Sequence, residues 1–232
     1  LNDKHRHDLE AMEAEITDKT KAIMICNPNN PTGTMLKKKE IKDFLERVSD
    51  EILIVVDQAY YEYITAEEAF DGVELLDQHS NLMLMRTFSK AYGLAGMRIG
   101  YALADPELVD YLNRIRGPFN VNSLAQKAAV TALESESHLE ICHNLNQKEK
   151  NFLYQKFEEL ELEYIETEAN FIMVDTELPA ADVFEKLQQR GVIIRPGNQF
   201  GMDSWIRVTV GTRADNEYFI RNLKKVLAEG NK

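Results

Sequence analysis

Short apolar runs that end on polar residues alternate along this chain with stretches whose apolar positions recur every three or four residues. Leu9, Met12 and Ile16 begin the pattern with a helical spacing. AIMIC (22–26) is a strand running into the turn cluster NPNNPTG. Ile41, Phe44, Leu45 and Val48 then mark one face of a helix. ILIVV (52–56) is a second strand ending at Asp57, LMLM (82–85) a third ending at Thr87, and RIGYALA (98–104) a fourth. Short, nearly all-apolar strands separated by helices predict an α/β fold with a mostly parallel sheet covered on both faces. The pattern changes after about residue 137. Leu139, Cys142, Leu145, Leu153, Phe157 and Leu160 form one stripe on a long helix, followed by the strands NFIMVD, VIIR and WIRVTV with helices between and after. The chain therefore divides into residues 1–137, from a larger domain, and residues 138–232, a smaller α/β domain.

Composition narrows the class of partner. A length of 232 residues is enough to bury a core. The net charge of −12 argues against nucleic acid. No apolar run is long enough to cross a bilayer, and no basic segment leading into an apolar one opens the chain. Two cysteines, Cys26 and Cys142, do not make a disulfide framework, which points to the reducing cytoplasm. His5 and His7 form an H-x-H pair, but nothing at ligand spacing completes a metal site, so a solvated loop and no metal are expected.

Three polar clusters follow three successive strand ends: Asn30, then Asp57, then Thr87 to Lys90. In open α/β sheets, ligands bind outside those ends. Each cluster also has a plain explanation. NPNNPTG reads as a tight turn, Asp57 as a helix cap and Lys90 as a surface lysine. Their joint occurrence points to one site. In RTFSKAYGLAGMRIGY (86–101), the hydroxyls of Thr87 and Ser89 and the guanidinium of Arg98 suit a phosphate. Lys90 beside them can form a Schiff base with an aldehyde. Asp57 can pair with a protonated ring nitrogen and raise its pKa. Asn30 and Tyr60 can hydrogen-bond a ring hydroxyl. Pyridoxal 5'-phosphate asks for that set of groups.

The motifs NPNNPTGT (27–34), VDQAYYEY (56–63), RTFSKAYGLAGMRIGY (86–101) and IRVTVGTR (206–213) carry a resemblance. From Asp8 to Leu227 the chain resembles the fold-type-I pyridoxal-phosphate aminotransferases, most of all the branch acting on histidinol phosphate. The resemblance implies that residues 1–137 are the C-terminal part of the large cofactor-binding domain and 138–232 the small domain. It implies that Lys90 holds the cofactor and shuttles the proton, and that Asp57 is the partner of the ring nitrogen. By the same likeness Asn30 and Tyr60 meet the ring hydroxyl, and Thr87, Ser89 and Arg98 hold the phosphate. Arg207 then grips the substrate α-carboxylate, and Arg195 meets the phosphate of histidinol phosphate. The plain alternative for Arg207 is a cross-strand salt bridge, although an arginine between WI and VTV is costly without an anion to meet.

The implied activity is transamination between histidinol phosphate and 2-oxoglutarate in histidine biosynthesis. A homodimer taking amino-acid and keto-acid substrates is expected. Transamination of aromatic amino acids, decarboxylation of a phosphorylated amino acid, and a catalytically incompetent ligand-binding module remain open alternatives.

Two departures stand out. The helix after NPTG opens on LKKKE rather than on a Ser or Asp cap, and three lysines in a first turn oppose the helix dipole. Family members also carry roughly a further third of their length ahead of the position of Leu1. That portion supplies a ring stacking on the cofactor, backbone donors to its phosphate, and a tyrosine lent across the dimer. These 232 residues alone are therefore expected to bind the cofactor weakly, to catalyse little, and to leave part of an apolar sheet uncovered.

Overall fold

The computed structural model describes residues 1–230, which form two units. The first comprises Leu1–Asn30 and Met35–Glu140. Its elements are α1 (Leu9–Ala14), β1 (Ala22–Cys26), α2 (Lys38–Arg47), β2 (Leu53–Asp57), β3 (Leu82–Thr87), β4 (Gly100–Ala104), α3 (Pro106–Ile115) and α4 (Ser123–Leu133). The sheet order is β1-β2-β3-β4. The first three strands are parallel, and β4 runs antiparallel to β3. Only the loop 88–99 joins β3 to β4, with no crossover helix, so the chain returns alongside the strand it has just left.

Alternation along the strands fills one face of this sheet. Ile23, Ile25, Ile54, Val56, Leu82 and Leu84 are buried in one core with Ile41, Phe44 and Leu45 of α2 and with Phe70. The other face is more open than the apolar runs imply. In AIMIC the residues alternate, with Ile23 and Ile25 buried and Met24 62% exposed. β1 and β4 are the edges of this sheet, and the residues of β4 are partly or fully exposed. On that other face Val55 and Met83 of the two central strands are buried as well, and the exposure is concentrated at the edges, as at Met24 of β1.

The lysines that open α2 are explained by their partners. Glu40 accepts from the backbone N–H of Lys37 at 2.7 Å and from Arg6 at 2.5 Å. Lys37 pairs with Glu68 at 2.6 Å, Lys38 with Glu74, and Lys39 with Asp43 at 2.5 Å. Such exposed pairs contribute about 0–1 kcal/mol each. They nevertheless set negative charge against every lysine that faces the helix dipole.

The second unit comprises Pro31–Thr34 and the chain from Ile141 onward. α5 (Glu136–Glu158) leads into it. β5 (Tyr164–Ile165), β6 (Phe171–Asp175), α6 (Ala180–Gln188), β7 (Arg195–Pro196), β8 (Trp205–Thr209) and α7 (Arg213–Gly230) follow. The sheet is β5-β6-β8-β7, antiparallel throughout. Its core gathers Leu153, Phe157, Ile172, Val174, Val183, Leu187, Ile206, Val208, Phe219 and Leu223.

Two expectations change here. VIIR pairs only at its last residue, Arg195, and Ile193 is 79% exposed. The stripe on α5 is apolar only in its second half. Leu145 is 44% exposed, and the buried positions beside it are Asn146, Glu149 and Lys150. The reason is hydrogen bonding: the loop after β5 turns its carbonyls toward the helix, and buried carbonyls need donors. Asn146 donates to Ala169 O at 3.2 Å, and Lys150 Nζ to Thr167 O at 2.7 Å. Glu149 accepts from Arg213 Nε at 3.0 Å and from Asn216 at 3.1 Å. The Arg213 bond holds the Glu149 carboxyl below its usual range, whereas burial pushes the Lys150 ammonium down.

The glycine of NPTG also has its cause in this unit. Gly33 has φ +77°, and a Cβ built on it would lie 1.9 Å from Thr167 Oγ1. Its carbonyl accepts from the Glu168 N–H at 2.9 Å. Only glycine lets the two loops come this close.

Candidate active site

The site grows from the same alternation that fills the core. Residues one step out of phase with the buried set project from the opposite face. On β3 these are Met83, Met85 and Thr87, and on β2 the corresponding terminal residue is Asp57. Together with Ala59, Arg86, Ser89, Lys90, Arg98, Gly100, Tyr101 and Ala102 they line a cavity of about 600 Å³. Thus Asp57, Thr87, Ser89, Lys90 and Arg98, which lie apart in sequence, meet in one place.

Local hydrogen bonds fix the lining. Asp57 Oδ1 accepts from the Ala59 N–H at 3.0 Å, so the carboxylate both closes the turn after β2 and faces the cavity. Thr87 Oγ1 accepts from the Ser89 N–H at 3.0 Å. Gly93, at φ +71°, donates to Lys90 O at 2.9 Å, and Leu94 donates to Phe88 O at 2.9 Å. Phe88 is buried, with ring centroids 5.0 Å from Tyr92 and 5.5 Å from Tyr101, and pins this loop. Lys90 is half-buried, not a surface lysine. Its Nζ lies 5.1 Å from the ring centroid of Tyr60, which is only 5% exposed. Arg98 has φ +52° and donates from its guanidinium to Ala95 O at 2.9 Å. Across from Thr87, Gly100 has no room for a side chain, because a Cβ there would lie 2.8 Å from Arg86 O.

Three other candidates are not among the lining residues. Asn30 is exposed in the loop after β1. Its backbone N–H bonds the thiol of Cys26, which burial and the charge of Asp57 push up to about 11. Arg195 and Arg207 belong to the second unit, on β7 and β8. The Arg207 guanidinium lies 4.9 Å from the Phe171 ring centroid, and that of Arg195 lies 5.9 Å from the Phe200 centroid.

Three further residues of the motifs carry no assigned role. Gln58 and Arg86 stand one position from Asp57 and Thr87 and bond each other at 3.1 Å, and Arg86 also borders the cavity. Counting in steps of two from Val56 and Leu84 would have found them. Glu62 has a buried Oε2 with no hydrogen-bond partner among the described residues, and burial pushes its carboxyl up to about 6. That negative charge adds to burial in raising the Tyr92 hydroxyl to about 12.

The chemistry of the lining is specific. A guanidinium and two hydroxyls suit a phosphate, a half-buried amine suits a carbonyl, and a carboxylate suits a cationic nitrogen. Gly100, Ala59 and Ala102 leave space among them. A phosphorylated aldehyde carrying a basic ring fits this set. No group of three potential metal ligands occurs among the described residues, and none of their helices is long and apolar enough to cross a membrane.

Comparison with known proteins places this geometry in context. A family described as aminotransferase class I and II matches residues 1–223. The histidinol-phosphate aminotransferase of Caldicellulosiruptor saccharolyticus is 50% identical over 223 residues, covering 96% of this chain and 62% of that protein. The enzyme of the same name from Moorella thermoacetica is 49% identical over 224 residues, covering 96% and 58%. The chain thus spans roughly three fifths of the length of these relatives. Among solved structures, histidinol-phosphate aminotransferase from Sinorhizobium meliloti in complex with pyridoxal-5'-phosphate superposes with a TM-score of 0.89 at 28% identity. That match covers 98% of this chain and 62% of the other.

Proposed function

The chain belongs to the aminotransferase class I and II family, and from that premise we propose that it carries the lysine-bearing part of a pyridoxal-phosphate site. The reaction would be amino transfer between histidinol phosphate and 2-oxoglutarate. The observation that carries this reading is the convergence of Asp57, Thr87, Ser89, Lys90 and Arg98 on one cavity. Identity of 50% and 49% to two histidinol-phosphate aminotransferases, over 62% and 58% of their lengths, supports the substrate.

Each residue then has a task. Arg98 and the hydroxyls of Thr87 and Ser89 hold the phosphate. Asp57, oriented by its bond to Ala59, holds a proton on the ring nitrogen. Bound there, the cofactor supplies an electron sink for the bond broken at the substrate α-carbon. Lys90 is the amine that attaches the cofactor and the base that carries the α-proton. Tyr60 lies beneath Lys90 and, with Asn30, is assigned to the ring hydroxyl. Arg207 binds the α-carboxylate of either substrate, and Arg195 the phosphate of the larger one. We place the enzyme in the cytoplasm as a homodimer.

The test is direct. Pyridoxal phosphate is added, the bound form is reduced with borohydride, and the modified peptide is mapped. Label on Lys90, with glutamate-dependent turnover of the phosphorylated substrate, is the expected result. Release of carbon dioxide in place of amino transfer would redirect the reading to a decarboxylase.

A further inference from the structure

We propose that Arg86 is a positioning residue: at the border of the cavity it forms, with Gln58 and Asp71, a clamp that sets Asp57 and Lys90 in register. For its ligand this inference rests on the pyridoxal-phosphate reading; its geometry is independent of it.

Asp57 and Thr87 line the cavity, and Arg86 beside Thr87 borders it too, while its guanidinium turns to Gln58, next to Asp57 in the chain, and to Asp71. Gln58 is fully buried. Its backbone N–H donates to Met85 O at 2.8 Å, tying the end of β2 to β3. Its side-chain Nε2 donates to Phe70 O at 2.6 Å and to Asp71 O at 3.1 Å, and its Oε1 accepts from Arg86 Nε at 3.1 Å. The second arm of the Arg86 guanidinium pairs with the Asp71 carboxylate, and the group lies 4.2 Å from the ring centroid of Tyr61. The Arg86 side chain is 13% exposed.

One planar cation therefore joins three segments: the turn that carries Asp57 and Tyr60, the strand end that carries Thr87 and leads to Lys90, and the loop at Asp71. Five donors in a rigid fork do this where a point charge would not. A surface ion pair would reach only Asp71. The bond to a fully buried glutamine, one residue from Asp57, is what couples the pair to the cavity.

The experiment compares wild type with Arg86→Gln, Arg86→Lys and Asp71→Asn, first without cofactor and then with pyridoxal phosphate. Without cofactor, amide exchange is read at Ala59, which bonds Asp57, and at Ser89, which bonds Thr87. Losing a charged hydrogen bond predicts exchange about tenfold or more faster at both amides in Arg86→Gln. Amides of β6 and β8 should not change. With cofactor, Kd should rise about tenfold, and the pH midpoint of the bound cofactor's absorbance should move. Arg86→Lys, keeping the charge at Asp71 but not the second bond, should recover part of both effects.

Asp71→Asn is the milder variant if Arg86→Gln does not fold, and it should shift the same readouts by less. Wild-type exchange at Ala59 and Ser89, or a change at only one of them, would overturn the clamp. So would an unchanged Kd and midpoint in a variant of a protein that binds. If wild type takes up no pyridoxal phosphate, the cofactor reading fails, and the exchange of the two amides alone decides the clamp.

Discussion

Arg195 and Arg207 face each other as direct cross-strand partners on β7 and β8. Residues so opposed project from the same sheet face, and like charges there repel. An anion lying against both guanidiniums would turn that repulsion into attraction. Inorganic phosphate should therefore raise the Tm of the wild-type chain, and either alanine variant should lose the effect. In turnover, Arg207→Ala should raise KM for every amino donor, by about 2–5 kcal/mol of lost charged contact. Arg195→Ala should penalise phosphorylated and acidic substrates more than an uncharged aromatic one. Equal losses across all of them would remove Arg195 from the phosphate role.

Lys90→Ala should abolish covalent attachment of the cofactor and turnover while leaving far-ultraviolet circular dichroism unchanged. The side chain lines a cavity and is no part of either core. Borohydride label trapped on another lysine would reassign the attachment site.

Asp57→Asn keeps the shape of the turn but removes the charge proposed to hold a proton on the ring nitrogen. Loss of a charge from a buried pair costs about 3–5 kcal/mol, roughly two to four orders of magnitude in rate. Cofactor should still bind through Lys90 and the phosphate ligands. A near-normal rate would reduce Asp57 to a turn-closing residue.

Glu62 should make the protein less stable as pH rises. Its carboxyl is raised from the ordinary 4.5 to about 6, so between those values the folded state binds the proton more tightly than the unfolded one. Stability then falls as pH increases through about 4.5 to 6, by on the order of 2 kcal/mol, and the penalty stays in place above that range. Glu62→Gln should flatten this part of the Tm–pH profile and raise Tm at neutral pH. A variant profile parallel to wild type across the window would show that Glu62 ionises at its ordinary pH.

The parts of the fold legible in sequence were those where a strong apolar run coincides with a buried strand. Ile23, Ile25, Ile54, Val56, Leu82 and Leu84 sit in such runs, and Asp57 and Thr87, which end two of them, mark the cavity. The exposure of the edge residue Met24 was hidden, because it is as apolar as Ile25 and differs from it only in what packs beside it. β5 and β7, of two residues each, are too short to show a period. On α5 the apolar count pointed to Leu145, while Asn146 and Lys150 are buried because carbonyls near Thr167 need donors. Gln58 and Arg86 escaped notice for a related reason. Both stand inside the motifs, but the bond between them joins two segments far apart in sequence and leaves no mark in either one alone.

Arg98 carries a cost visible in its backbone. A side chain at φ +52° gives up about 1–2 kcal/mol that glycine at the same position would not. Selection for thermal endurance alone would favour glycine there. Under the phosphate role proposed for Arg98, the chain trades ruggedness there for a cation in a fixed place. Stabilising libraries built on this scaffold should therefore enrich Arg98→Gly early, and by that proposal they should lose cofactor affinity with it.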